Sequence, residues 1–305
     1  MKGDERIMSK IEKPNIKLKE KLDENDYEDI SNLQKLCLET DKTTLKLEID
    51  YKLSGAEEKS EGLENINEFM FYDGNKLIGY IGICHFGGDA IEVNGMVHPE
   101  YRRKGVFKRL FSLVKDEWSK RESQKMLLLS DHNSVSGLGF IKYISADYDF
   151  SEYEMYLRNY AKQDLMSRNV VLRKATNKDA KEVTLQNSQY FGVEFKEEDI
   201  IMPEEEEKRG MVIYIAEVDN KTVGKIHLEI GDAVSGIYGF GVLQEYRRKG
   251  YGREILTRAI EKLKEYNSKE IMLQVAVKNK NALGLYISCG FEETSTMDYY
   301  KIEKK

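Results

Sequence analysis

In the second half of the chain, apolar residues fall into short β-branched runs, interrupted by stretches with helical spacing. Residues 170–173 read as a short strand, and residues 177–189 open with polar capping residues before a helical pattern. Residues 211–217 and 222–230 are apolar runs split by Asp219-Asn220, a hairpin signal. Residues 235–242 form a third such run. Over residues 252–266 the apolar positions are Ile255, Leu256, Ala259, Ile260 and Leu263, the stripe of an amphipathic helix. Residues 271–277 then read as a strand, 279–289 as a helix and 292–301 as a closing strand. This order predicts an α/β (α+β) fold, a mixed and mostly antiparallel central sheet with helices on both sides.

The chain also repeats itself. Tyr101-Arg102-Arg103-Lys104-Gly105 recurs as Tyr246-Arg247-Arg248-Lys249-Gly250, 145 residues later (246 less 101). The same offset aligns Asn75-Lys76 with Asn220-Lys221, Gly79 with Gly224, Ile81 with Ile226, Val97 with Val242 and Glu100 with Glu245. One ungapped register over this distance indicates duplicated domains rather than a solenoid. The expected division is residues 1–163 and residues 168–305. Residues 152–158 would close the first domain, residues 161–168 would link the two, and residues 1–12 would be a frayed terminus.

Composition narrows the setting. The 305 residues suffice for two domains, and 40% hydrophobic with 33% charged residues is a soluble globular balance. No apolar run approaches the roughly 18–20 residues of a membrane span, and residues 1–13 lack the apolar region of a signal peptide. Cys37, Cys84 and Cys289 are odd in number, widely spaced and without a CxxC pair, which suits a reducing cytoplasm. A net charge of −6 argues against general nucleic-acid binding but permits a local basic site for a polyanion. His85, His98, His132 and His227 have no metal-ligand spacing, so no metal is expected. No GxSxG or Cys/His pattern points to covalent catalysis.

The chemistry concentrates where the strand ending at Val242 runs through a basic, glycine-containing turn into the helix. Free N–H groups at a helix N-terminus, with its positive dipole end, make an anion cradle. Glycines allow close backbone approach and arginines add charge-assisted bonds. The turn is neither a Walker A loop nor a Rossmann fingerprint. Arg247, Gly250 and Gly252 do match a Q/R-x-x-G-x-G/A signature. Downstream, Asn279, Ala282, Tyr286, Gly290 and Phe291 fit N-x-x-A-x-x-x-Y-x-x-x-G-F. On these motifs the chain resembles the GNAT superfamily of N-acetyltransferases, in a tandem, two-domain form.

That resemblance implies an acetyl-CoA-dependent N-acyltransferase in which a primary amine attacks the thioester directly within a ternary complex. The acceptor would be a small-molecule or peptide amine. Val242, Arg247, Arg248, Lys249, Gly250, Tyr251, Gly252, Arg253 and Asn279 would bind CoA, the backbone at Val242 pairing with its pantetheine arm. Tyr286 would be catalytic, protonating the leaving thiolate, a role its ordinary pKa near 10 suits. The family's base often lies four or six residues before the valine, here Tyr238 and Gly236. Glycine cannot serve, tyrosine is a poor base at neutral pH, and Glu229, Asp232, His227 or a water relay stay open.

The first half departs from the pattern. Phe107 replaces the second small residue, where it would crowd the phosphate approach. Gly139-Phe140 comes six residues early, implying a helix shorter by about a turn and a half, and no tyrosine matches Tyr286. The first domain is therefore expected to be degenerate and non-catalytic. Residues 204–207, an acidic run, read as a solvated helix face or as a contact for a cationic acceptor. The alternatives to an enzyme are a non-catalytic acyl-CoA-binding regulator and a nucleic-acid binder using the two Arg-Arg-Lys clusters.

Overall fold

The computed structural model describes residues 10–54, 65–86, 89–160, 169–192, 194–197, 200–231 and 233–304. The expected linker at residues 161–168, the base candidate Asp232 and residues 1–9 of the expected frayed terminus lie outside them. The chain forms two units, Met1–Asp149 with Met297–Lys305, and Phe150–Thr296.

The first unit runs β1 (Pro14–Lys19), α1 (Glu24–Asp41), α2 (Ile49–Ser54), β2 (Glu68–Asp73), β3 (Lys76–Cys84), β4 (Ala90–Val97), α3 (Val106–Lys120), β5 (Lys125–Asp131) and α4 (Val135–Ile144). Strands β1 to β4 are antiparallel neighbours in sequence order, and β5 lies parallel to β4. The second unit repeats the plan with β7 (Val171–Lys174), α5 (Ala180–Phe191), α6 (Pro203–Lys208), β8 (Met211–Val218), β9 (Lys221–Glu229), β10 (Val234–Val242), α7 (Tyr251–Glu265), β11 (Glu270–Ala276) and α8 (Lys280–Ser288). Again β7 to β10 are antiparallel and β11 is parallel to β10.

Local chemistry explains most boundaries. Asp23 caps α1 through a capping box with Asp26. Asp219 and Asn220 both take positive φ, 50° and 59°, as a two-residue hairpin with the favoured twist requires. Ile255, Leu256, Ala259, Ile260 and Leu263 of α7 are fully buried, so that stripe is its core face. On α3 the corresponding face is Val106, Leu110, Phe111, Val114 and Trp118. No described helix is long and apolar enough to cross a membrane.

Two readings of the sequence need correction. Residues 152–158 were expected to close the first domain. Instead the strand β6 (Asp147–Leu157) enters the second unit at Phe150, where Glu152–Tyr156 pair antiparallel with β11. The first unit's β5 is completed by the end of the chain: β12 (Phe291–Glu303) pairs with it from Met297↔Asp131 to Glu303↔Lys125. A strand's alternation fixes which side chains share a face but not which strand lies beside it. Nor is the helix after β5 short. Helix α4 has 10 residues and α8 has 9. Gly139-Phe140 lies inside α4, and the offset of 145 continues through it, pairing Ser134 with Asn279, Ile141 with Tyr286 and Ser145 with Gly290.

Candidate active site

In the second unit, β10 and β11 pair only from Val234↔Glu270 to Ile237↔Leu273. Beyond that β10 runs on to Val242 without β11, so the strands splay and leave backbone of β10 open for pairing. Within this stretch β10 carries an extra residue relative to β9, with a register shift between Tyr238 and Gly241. Gly239, at φ +51°, takes the bend, a conformation that costs glycine little. The bulge re-aims the side chains. Phe240 lies 6.3 Å from Tyr286, ring to ring, while Gly241 lies under the ring of Tyr190, where an added Cβ would come within 2.2 Å.

The basic turn follows directly. Arg247 Nε donates to the Val242 carbonyl at 2.9 Å, which ties the turn to the end of the splayed strand. Arg248, at φ +62°, and Gly250, at φ +85°, reverse the chain into α7. Gly250 is the N-cap residue and no side chain caps this terminus, which leaves its N–H groups available to an anion. Arg247, Arg248 and Lys249 are exposed. Arg248 bonds Asn281 at 3.1 Å, and Lys249 sits over the Tyr246 ring, which also meets Tyr251. At Gly252 a Cβ would meet Leu285 at 3.3 Å, Val242 at 3.6 Å and Phe240 at 3.8 Å. The missing side chain thus keeps a slot open between the turn and the splay. An uncapped helix terminus, exposed arginines and this slot fit a pyrophosphate with an extended arm.

Tyr286 projects from α8 into the same region, 8% exposed and packed against Phe240 and Phe291. Burial pushes its phenol up to about 12, with Cys289 adding to the shift, so it holds its proton at neutral pH. That excludes a base; the phenol keeps a proton to give, though as a weaker acid than the ordinary value near 10 would make it. Asn279 is the N-cap of α8, its Oδ1 accepting from Ala282 N at 3.2 Å.

A buried polar cluster on β9 was not singled out from sequence, apart from His227. Lys225 is 0% exposed, and its Nζ lies 2.9 Å from His227 Nε2 and 2.8 Å from the Gly239 carbonyl in the bulge. The rings of Tyr190 and Phe191 stand 5.6 and 5.9 Å from Nζ. Desolvation lowers Lys225 to about 7 and pushes His227 well below its ordinary range, Lys225 contributing to the latter. The available signal was a lysine in the middle of an apolar strand, two residues before a histidine. Glu229 stands opposite Gly236, on the closed side of the splay. The acidic run of α6 is engaged locally: Glu204 with Asn177, Glu205 with Lys208, Glu206 with Arg209 and Glu207 with Lys174.

The first unit has the same turn, with Arg103 at φ +62° and Gly105 at φ +81°, and the same splay, since β4 and β5 pair only to Val93↔Leu128. Its contents differ. Asn94 Nδ2 donates to the Lys46 carbonyl at 3.0 Å, and Thr44 N and Oγ1 both donate to Asp131, at 2.9 Å each. The segment after α1 is therefore held to both diverging strands. Arg102, the counterpart of Arg247, is taken bidentately by Asp41 at 2.7 and 2.6 Å. Phe107 turns toward α4 and stacks edge-on against Phe140 at 4.6 Å instead of covering the turn.

Comparison with known proteins identifies the family. A model described as the Acetyltransferase (GNAT) family matches residues 27–137 and 181–291. An N-alpha-acetyltransferase of Sulfurisphaera tokodaii is 33% identical over 100 residues, covering 28% of this chain and 60% of that protein. The chain thus spans about 60% of the length of the first curated relatives it matches. A GCN5-related N-acetyltransferase from Sphaerobacter thermophilus shares the fold at a TM-score of 0.73 and 16% identity, over 95% of each chain. A tandem GNAT protein from the clavulanic acid biosynthesis pathway matches at a TM-score of 0.73 and 14% identity, over 95% of this chain and 98% of that one. With two family matches that between them span most of its length, one in each half, the chain belongs to the acetyltransferase (GNAT) family.

Proposed function

We propose that this protein is an N-acetyltransferase whose second unit moves an acetyl group from acetyl-CoA to a primary amine. The observation that carries the reading is the convergence of three features: the splayed β10, the uncapped basic turn into α7, and a buried, protonated Tyr286. Acetyl-CoA would supply the activated acyl group as a thioester. Arg247, Arg248, Lys249, Gly250, Tyr251, Gly252 and Arg253 would hold its pyrophosphate, and Val242 and Asn279 would line its arm. Open N–H groups of β10 would polarise the acyl carbonyl, a role suited to fixed backbone donors. Tyr286 would hand its proton to the departing sulfur.

The Sulfurisphaera relative is an N-alpha-acetyltransferase, which supports the free α-amine of a peptide as acceptor. Glu205, Glu206 and Glu207 are held in local ion pairs and Glu204 bonds the neutral Asn177, so the acidic run of α6 is not assigned to the acceptor. Three free cysteines, two of them buried, suit a reducing cytoplasm. We further propose that the first unit is non-catalytic and takes no acyl-CoA. Its splay is bridged by its own chain, its arginine is engaged by Asp41, and Ile141 stands where Tyr286 does.

The test combines calorimetric titration of acetyl-CoA with thiol-release turnover on peptides of varied N-terminus and a panel of small amines. Expected are one site per chain and turnover that falls about tenfold or more in Tyr286→Phe, with acetyl-CoA affinity little changed. Undiminished turnover in that variant removes Tyr286 from the chemistry. Tight binding with no turnover on any acceptor would make the protein an acyl-CoA-binding regulator.

A further inference from the structure

The acetyl-transfer reading leaves one role without a residue, the removal of a proton from an acceptor that is an ammonium at neutral pH. Tyr286 is held protonated and sits on the other side of the bulge from Tyr190. The positions where the family's base would stand are Gly236 and Tyr238, and the Tyr238 hydroxyl is directed to Met272 Sδ at 3.6 Å.

On the Tyr190 side of β10 the structure offers a different group. Lys225 faces Gly241 across the β9–β10 pair and reaches the bulge through Gly239 O, next to the stretch of β10 that lies open. We propose that Lys225 is the proton acceptor for the incoming amine, held in place by His227 and the Gly239 carbonyl; this rests on the acetyl-transfer reading. The protons balance. Of three on the acceptor ammonium, one passes to the lone pair of Lys225 Nζ and one ends on the departing sulfur with Tyr286 as relay. The third stays on the amide. The lysine ammonium so formed donates to His227 Nε2, to Gly239 O and toward the Tyr190 ring, and returns its proton to solvent before the next cycle. Lys225 is 0% exposed, so contact of Nζ with the amine would require the Tyr190 ring, 5.6 Å away, to move aside.

The surroundings explain why this lysine is a base and not a structural ammonium. No described carboxylate pairs with it. On β8 its direct neighbour is Ile215, with Ile213 beside His227. On β10 the facing groups are Tyr238 and the Gly239 carbonyl. On α5, Tyr190 donates to Gln186 at 2.7 Å, and Gln186 donates to Glu182 at 2.7 Å. Glu182, Glu245 and Arg247 act on Tyr190 from further out, and Glu229 shares the strand. Burial without a counter-ion disfavours the charged form, which brings an amine into the range where a base works at neutral pH. The first unit serves as an internal comparison. At the positions 145 residues earlier it has Tyr80 and Gly82, and Tyr80 is spent on Glu68 at 2.5 Å.

The test measures kcat/KM against pH for wild type, Lys225→Met and Lys225→Gln. Two matched acceptors are used, a peptide with a free α-amine and its analogue ending in a weakly basic hydrazide that is already neutral. With the amine, wild type should show an inflection near 7. Both variants should lose that inflection, keeping only the α-amine's own ionisation near about 8, and about 100-fold in rate, with acetyl-CoA affinity unchanged. With the hydrazide the loss should shrink severalfold. Equal losses on both acceptors would make Lys225 a positioning residue only, and variants with wild-type rate and profile would overturn the assignment outright. Should neither variant fold, an NMR titration of the Lys225 Nζ in wild type decides: a midpoint near 7 supports the base, and one near its free value of 10.5 refutes it. Wild type that binds no acetyl-CoA and acetylates nothing would bring down the acetyl-transfer reading and this inference with it.

Discussion

The burial of Lys225 has a thermodynamic consequence that needs no substrate. Its pKa is 10.5 when free and about 7 in the fold, because burial penalises the ammonium. Between those values the unfolded chain carries a proton there and the folded chain does not, so stability rises with pH. At about 1.36 kcal/mol per unit, the full difference is of the order of 4–5 kcal/mol, and the stretch from pH 7 to 9 carries about 2 kcal/mol of it. Below about 7 both states are protonated and the penalty stands in full; above 10.5 it vanishes. Lys225→Met fills a similar volume with an apolar chain and removes the linkage. Urea unfolding of both proteins at pH 7, 8 and 9, followed by hydrogen exchange with mass mapping of second-unit peptides, gives the difference directly. The variant should be the more stable at pH 7, and the gap should narrow by about 2 kcal/mol by pH 9. Parallel stability curves across this window would mean that Lys225 keeps its charge when buried. Both the linkage and the proton-acceptor role would then fall.

Gly252→Leu should weaken acetyl-CoA about tenfold or more, about 1.4 kcal/mol, since the new side chain enters the slot among Leu285, Val242 and Phe240 that the arm would occupy; unchanged affinity by calorimetry would place the arm elsewhere. Deleting residues 297–305 should unfold the first unit and spare the second, because β5 loses its antiparallel partner and the buried Met297 and Tyr299 go with it. Limited proteolysis with mass mapping reads which unit survives, and loss of the second unit first would refute the strand exchange.

Much of the second unit could be read from residue pattern because its elements are locally encoded. The α7 stripe, the Asp219-Asn220 hairpin and the turn at Arg247–Gly252 each follow from side chains within a few positions. What escaped reading depends on partners distant in sequence. Nothing in residues 152–157 says that β11 lies beside them, and nothing in Asp41 says that it will meet Arg102, 61 positions away. The six-residue shift assigned to Gly139-Phe140 came from matching a dipeptide where the helix offered no second marker. Ile141 in place of Tyr286, with Ser145 and Ala146 for Gly290-Phe291, had erased the pattern that would have held the register.

The repeat sharpens what the site requires. Both units keep the turn, with nearly equal φ at Arg103 and Arg248 and at Gly105 and Gly250, and both keep the splay. The basic turn is therefore not what separates them. The difference lies in how each open strand satisfies its polar groups and in what faces it. In the first unit, residues 44–46 bond to Asn94 and Asp131, Asp41 neutralises Arg102, and Tyr80 with Glu68 occupies the space beneath. In the second, a bulge re-aims β10, Arg247 is left without a described acidic partner, and a lysine without a described counter-ion lies beneath. A buried lysine of this kind is a poor choice for stability alone, where an apolar residue would serve better. In the first unit Lys52, its side chain 8% exposed, is paired with Glu68 at 2.9 Å, whereas Lys225 has no described carboxylate beside the open splay. That contrast is the physical ground for assigning Lys225 to the chemistry.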